Sequence, residues 1–141
     1  MTMWHRERGS VLMLLPAGIL VVLLLGAIAF DLSVVFLRQR QASSLAVDVA
    51  NDLATAALDE VAFRADGTYR IDHERAEALA GAFLGASDLR KDLDLVEVDV
   101  TGPDTVEVRI VLHVDYVFAR AIPGTSDGTS VEASATATAV P

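Results

Sequence analysis

The dominant pattern in the chain is an apolar stretch near its beginning, where 22 of the 27 residues from 11 to 37 are hydrophobic. Residues 11–30 carry no charge, and a helix of that length rises about 30 Å, the thickness of the hydrocarbon core of a bilayer. Pro16 lies close to the first turn, where a proline costs a helix little. The pattern predicts a transmembrane helix over residues 11–37, preceded by a tail of residues 1–10.

A helical period continues beyond this stretch. Small or apolar side chains recur every three or four residues, at Ala46, Ala50, Leu53, Ala57 and Val61, which is the spacing of one helix face. Because no proline or glycine occurs between Asp31 and Asp66, we predict that the helix continues over residues 38–63. We call these five residues the alanine stripe. It is expected to pack on the chain's own sheet, and it is also suited to pack against helices of other subunits.

A second helix is predicted over residues 72–85. Asp72 suits its N-cap, Glu74 favours its first turn and Gly85 suits its end. Its apolar face consists of Ala76, Leu79, Ala80, Phe83 and Leu84. Between the two helices, the pair Asp66-Gly67 predicts a turn, because glycine adopts positive φ cheaply.

Residues 93–140 alternate between apolar and polar positions, which predicts antiparallel strands. The longest alternation carries apolar residues on one face from Val106 to Phe118. The last strand has a face of small residues, Ala133, Ala135, Ala137 and Ala139, which would let the alanine stripe approach closely. The expected fold class is α+β, with a long N-terminal helix, membrane-spanning in its first half, packed on a three- to four-stranded antiparallel sheet.

Charge divides the chain in the same place as hydropathy. Residues 1–40 contain four Lys or Arg and two Asp or Glu, whereas residues 41–141 contain seven and 18. A body with a net charge of −11 repels phosphate backbones, so nucleic acid is excluded as a partner. The absence of cysteine from the sequence excludes disulfides, thiolate metal sites and cysteine nucleophiles.

The orientation of the predicted span is less strongly specified. The span is preceded by His5, Arg6 and Arg8, with Trp4 beside them, and these residues favour a cytoplasmic N-terminus. Arg38 and Arg40 follow it, so arginine counts alone do not decide. The acidic body favours an extracytoplasmic domain over residues 38–141, and hence a single-pass protein of the cytoplasmic (inner) membrane.

A cleaved signal peptide is the alternative to a retained span. Ala27-Ile28-Ala29 has the small-x-small form of a cleavage site. The apolar stretch is longer than a typical signal sequence, and it resumes directly after this site at Phe30 and Leu32. A retained anchor in the lipid bilayer is therefore the preferred interpretation.

No group of residues in the sequence predicts catalysis. His73-Glu74 resembles the start of a helical zinc motif, but the second histidine is replaced by Glu77. His113 beside Asp115 is expected to be a surface cross-strand neighbour. Asp31, at the end of the apolar stretch, is expected either to reach water or to find a partner on another helix. We predict no enzyme activity, no catalytic or metal-binding residues, no cofactor and no small-molecule substrate.

Several short motifs are similar to those of TadE/TadG-like proteins of Flp (Tad-type) pilus assembly. At the beginning these are Arg6-Glu7-Arg8-Gly9-Ser10, Ala29-Phe30-Asp31-Leu32 and Arg38-Gln39-Arg40-Gln41-Ala42. Toward the end they are Val106-Glu107-Val108-Arg109-Ile110-Val111-Leu112, Tyr116-Val117-Phe118, Pro123-Gly124 and Val131-Glu132-Ala133-Ser134-Ala135-Thr136-Ala137. The resemblance implies a bacterial, pilin-like (pseudopilin) protein with one membrane span that builds or anchors a pilus. Its partners would be other pilin or pilus-assembly subunits.

Two features depart from related families. If Gly9 were a prepilin cleavage point, the fifth mature residue would be Leu14, whereas prepilins resemble one another in having glutamate there. The body also lacks the D-x-S-x-S metal motif of longer TadG-like members, so the chain resembles a short, TadE-sized member. The alternative function is a membrane-anchored or secreted extracytoplasmic binding module of unknown ligand.

Overall fold

The computed structural model describes the backbone of residues 8–139 and the side chains of residues 14–139. Most of the predicted tail of residues 1–10, including Trp4, His5 and Arg6, therefore lies outside the described residues. In chain order the helices are α1 (Arg8–Ala56), α2 (Glu60–Asp66) and α3 (His73–Gly85), and the strands are β1 (Leu93–Val100), β2 (Thr105–Asp115) and β3 (Gly128–Thr138). Two short 3₁₀ helices, Asp88–Asp92 and Ala119–Ala121, lie in the connections.

The three strands form one antiparallel sheet in the order β1-β2-β3. Val108 of β2 lies opposite Val98 of β1 and Ala135 of β3. The predicted α+β class is thus confirmed, with a long N-terminal helix packed on a three-stranded antiparallel sheet.

The two faces of the sheet differ as the alternation predicts. Five β2 side chains on one face are at most 1 % exposed: Val106, Val108, Ile110, Leu112 and Val114. On the opposite face Arg109 forms ion pairs with Glu97 of β1 at 3.6 Å and Glu132 of β3 at 3.3 Å. A one-sided core of this kind needs a cover.

The second half of α1 provides that cover. It packs on β3 and β2, with α3 beside it, and its buried residues include Ala42, Ala46, Val49, Ala50 and Leu53. Ala133, Ala135 and Ala137 of β3 belong to the same core. The predicted contact between the alanine stripe and the alanine-faced strand is therefore observed, because both surfaces are small enough to approach closely.

The C-terminal end of α1 differs from the prediction. The helix ends at Ala56 instead of continuing through residue 63. Leu58 pairs with Ile71 in an isolated bridge, and the Asp59 N–H donates to the Arg70 carbonyl at 2.8 Å. Asp59 then caps the separate helix α2. Val61 consequently leaves the alanine stripe and is 77 % exposed.

The region around α3 follows the prediction closely. Gly67 has a φ of 74° and caps α2 in the left-handed conformation, as expected for the Asp66-Gly67 turn. Asp72 is the N-cap of α3, and its side chain accepts from the Arg75 N–H at 3.2 Å. The buried residues of α3 are Ala76, Ala80 and Leu84, three of the five predicted for its apolar face.

Strand β2 is shorter than predicted, ending at Asp115 instead of reaching Phe118. Tyr116 still donates its N–H to the Asp127 carbonyl at 2.9 Å, but Val117 and Phe118 turn away from the ladder. We call residues 117–122, which follow this point, the α1 loop. The loop departs from the strand because its N–H groups bond to a side chain of α1.

The first half of α1 is exposed. Every residue from 14 to 30 except Ala27 is exposed to solvent. The whole helix has 49 residues, about 74 Å at 1.5 Å per residue, and α1 is long and apolar enough to cross a membrane. Such a helix is compatible with a single-pass membrane protein.

Candidate functional site

The exposed half of α1 meets its packed half at Asp31. This aspartate is 6 % exposed and is the single buried polar or charged residue among those whose side chains the structure describes. It is preceded by the uncharged residues 11–30 of the predicted span and followed by the turns of α1 that pack on the sheet. A carboxylate in such a position is costly unless its oxygens are paired.

The carboxylate of Asp31 is bonded to the α1 loop. Its Oδ1 accepts from the N–H groups of Val117 at 2.8 Å and Phe118 at 3.1 Å. Its Oδ2 accepts from the N–H groups of Phe118 at 3.3 Å and Ala119 at 2.8 Å. Three successive backbone donors therefore share the two oxygens of one side chain that lies 86 or more residues earlier in the chain.

The loop presents these donors because a 3₁₀ helix begins there. The first N–H groups of any helix have no carbonyl partner within the helix. Here the N–H of Ala119, the first residue of the turn Ala119–Ala121, and those of the two residues before it bond to Asp31. Hydrogen bonds to an ionised acceptor are stronger than those between neutral groups. Asp31 acts as an N-terminal cap supplied by a distant element.

Apolar contacts surround this polar centre. The ring of Phe30 meets the ring of Phe118 edge-on, with centroids 5.4 Å apart and planes at 86°. A shallow cavity beside it is lined by Leu24, Ala27, Ile28, Asp31, Phe118, Ala119 and Ile122. The α1 loop therefore extends from Asp31 back along two turns of the apolar half of α1.

Two polar contacts attach α1 to the body on the other side of Asp31. Arg38 forms an ion pair with Asp92 at 3.2 Å. Gln39 donates from Nε2 to the Glu132 carbonyl of β3 at 2.7 Å. Together with Asp31, these contacts set the position of the helix relative to the sheet over its first turns against the body.

The sequence singles out Asp31 but does not predict its partner, the backbone of residues 117–119. We expected the side chain to reach water or another helix, and in the structure it does neither, because it is buried against its own chain. The available signal was the apolar group Val117-Phe118, which continues beyond the end of a strand and matches the apolar surface of α1. Nothing local in the sequence joins it to Asp31.

The other singled-out side chains lie apart from this site. His73 and Glu77 form an exposed pair on α3 at 3.4 Å. His113 is a surface residue of β2, 3.8 Å from Asp94 and 3.4 Å from Asp115. Among the side chains of residues 14–139, no cluster of His, Asp and Glu is arranged to hold a metal ion.

The fold and the Asp31 site define an α+β domain carried on one long N-terminal helix. The chain matches no family model, no curated protein and no solved structure.

Proposed function

We propose that the protein is a single-pass subunit of a Tad/Flp-type pilus or a related secretion apparatus, with a cytoplasmic N-terminus and an extracytoplasmic body. The observation that carries the proposal is that α1 is one continuous helix with two different halves. The second half is packed in its own domain, and the first half is apolar and exposed over residues 14–30. We call this exposed segment the bare half of α1. The motif resemblance to TadE/TadG-like proteins supports the assignment to a pilus. A long helix packed against an antiparallel sheet supports the pilin-like arrangement that the resemblance implies.

Packing between helices is the proposed mechanism. In a bilayer, helices associate where small residues allow close approach. Gly18 and Gly26 lie in the bare half of α1 and have nothing within 4 Å of where a Cβ atom would stand. Because Asp31 is already bonded to its own loop, it is not the group that selects a neighbouring helix. Recognition of other subunits would use the apolar surface before it.

Cysteine cross-linking tests the proposal, because the natural sequence contains no cysteine. We expect Leu20→Cys in the bare half of α1 to form disulfides in native membranes with a pilus subunit carrying a cysteine in its own helix. Val61→Cys, on the exposed surface of α2, is the matched control and should form none. Cross-linking at residue 61 with none along residues 14–30 would instead favour the binding module.

A further inference from the structure

The α1 loop exposes apolar side chains where a hairpin connection is normally polar. Val117 is 43 % exposed, Phe118 47 % and Ile122 51 %. Isolated exposed apolar residues are common on protein surfaces, but these three lie within six consecutive residues. The cluster therefore needs a covering environment.

The position of the loop indicates what that environment is. Phe118 and Ile122 lie beside Leu24 and Ile28 of α1 in the same cavity, and both of these helix residues are themselves about half exposed. Leu24 precedes Asp31 by seven residues, about 10 Å of helix. The apolar surface of the loop is thus continuous with the apolar surface of the proposed span, on the side from which the body emerges.

Five of the six backbone N–H groups of the loop are paired within the protein. Asp31 accepts from the N–H groups of residues 117–119. Ala121 and Ile122 donate their N–H groups to the carbonyls of Phe118 and Ala119, both at 3.0 Å. The hydroxyl of Thr125 donates to the carbonyls of Ala119 and Ile122. Internal pairing of this kind is what a segment needs in order to enter the apolar part of a membrane.

Arg120 supplies a positive charge among the apolar residues of the loop. It is exposed and stands between the apolar residues of the loop. A long cationic side chain beside apolar neighbours suits the level of lipid phosphates, where its stem can lie along apolar groups while its charge meets an anion.

We propose that the α1 loop inserts into the interface of the bilayer leaflet that faces the body, beside the span, and that Asp31 holds it there. The loop would be a second membrane contact that fixes how the body is oriented on the membrane. The inference rests on the proposed membrane span of α1.

Tryptophan fluorescence in phosphatidylcholine nanodiscs tests the insertion. The single tryptophan, Trp4, is first changed to phenylalanine. Phe118→Trp is then expected to lose emission when the lipids carry bromine near the headgroup end of their acyl chains. Leu20→Trp, near the middle of the span, serves as the reference and is measured with lipids brominated near the middle of their acyl chains. Val61→Trp is the control. Residue 61 follows the end of α1 at Ala56, and that end lies about 37 Å along the helix from Asp31.

The outcomes distinguish the membrane span of α1 from the insertion of the α1 loop. Quenching of Leu20→Trp and Phe118→Trp, with none of Val61→Trp, supports the insertion. Quenching of Leu20→Trp alone retains the span and overturns the insertion. No quenching of Leu20→Trp overturns the span and the insertion with it.

A separate variant tests whether Asp31 holds the loop in the membrane. Asp31→Asn in the Phe118→Trp protein is expected to weaken the quenching, because the loop is released. The same change at the exposed Asp52 should leave the quenching as it was. Equal quenching in the Asp31→Asn and Asp52→Asn proteins would show that the loop inserts without Asp31 and would contradict its holding role.

Discussion

Asp31 stands where a charge is hardest to place, between an apolar helix surface and the packed body. The structure accommodates it by directing three N–H groups at its two oxygens. The benefit is mutual, because the N–H groups of residues 117–119, which lead into the 3₁₀ turn, would otherwise be left without acceptors. The side chain therefore connects α1 to the α1 loop, which no run of apolar contacts could do with the same directionality.

At this scale we predict that Asp31→Asn destabilises the protein. The amide nitrogen of asparagine would replace one carboxylate oxygen and would place a donor against a backbone donor. The midpoint of thermal unfolding of the full-length protein in detergent should fall, whereas Asp52→Asn, on an exposed position of the same helix, should leave it unchanged. Equal midpoints for the two variants would contradict the role given to the Asp31 hydrogen bonds.

At the scale of elements, the contact between α1 and β3 holds the body together. Ala50 is 1 % exposed on α1, and Ala133 is 7 % exposed on β3. Two alanine surfaces allow a helix and a sheet to lie close, and there is then no space for a larger side chain.

We therefore predict that Ala50→Leu overpacks this contact and costs about 1 to 3 kcal/mol in the free energy of unfolding. The neighbouring Asn51 is exposed, so Asn51→Leu should cost under about 0.5 kcal/mol. Urea unfolding of the full-length protein in detergent, followed by circular dichroism, measures the difference. If the two leucine variants unfold at the same urea concentration, Ala50 does not face the sheet.

Periodicity in the sequence correctly predicted those elements that bury one continuous face against the rest of the domain. The alanine stripe, the α3 face and the alternation of β2 all follow from one side of an element being buried. The predicted ends of α1 and β2 were wrong, because in both places a distant part of the chain forms the hydrogen bonds instead. α1 stops at Ala56 because residues 58 and 59 bond to residues 70 and 71, and β2 stops at Asp115 because the next N–H groups bond to Asp31. Such long-range competition leaves no periodic trace in the sequence.

At the scale of the whole molecule, α1 has two different environments. Its second half forms the core with the sheet, and its first half, over residues 14–30, is largely exposed and meets the α1 loop near its end. A membrane, other subunits or both would complete it. A cleaved signal peptide would remove the bare half instead.

We predict that the mature protein keeps the bare half of α1, because the apolar surface continues past Ala29 to the Asp31 site without interruption. Intact-mass measurement of protein purified from membranes should therefore give a chain that includes residues 11–30. A mature chain that begins at Phe30 would show signal-peptide cleavage. One that begins at Ser10 would show prepilin-type processing with Leu14 in the fifth position.

The proposed function depends above all on the side of the membrane on which the body lies. Val61→Cys places a single cysteine on the surface of α2, at a side chain that is 77 % exposed, in a chain that has no other cysteine. The protein is expressed in a bacterium, and intact spheroplasts are treated with a maleimide that does not cross membranes. Because the proposed body is extracytoplasmic, we predict that Val61→Cys is labelled without lysis. Labelling only after lysis would place the body in the cytoplasm and contradict the proposed pilus function.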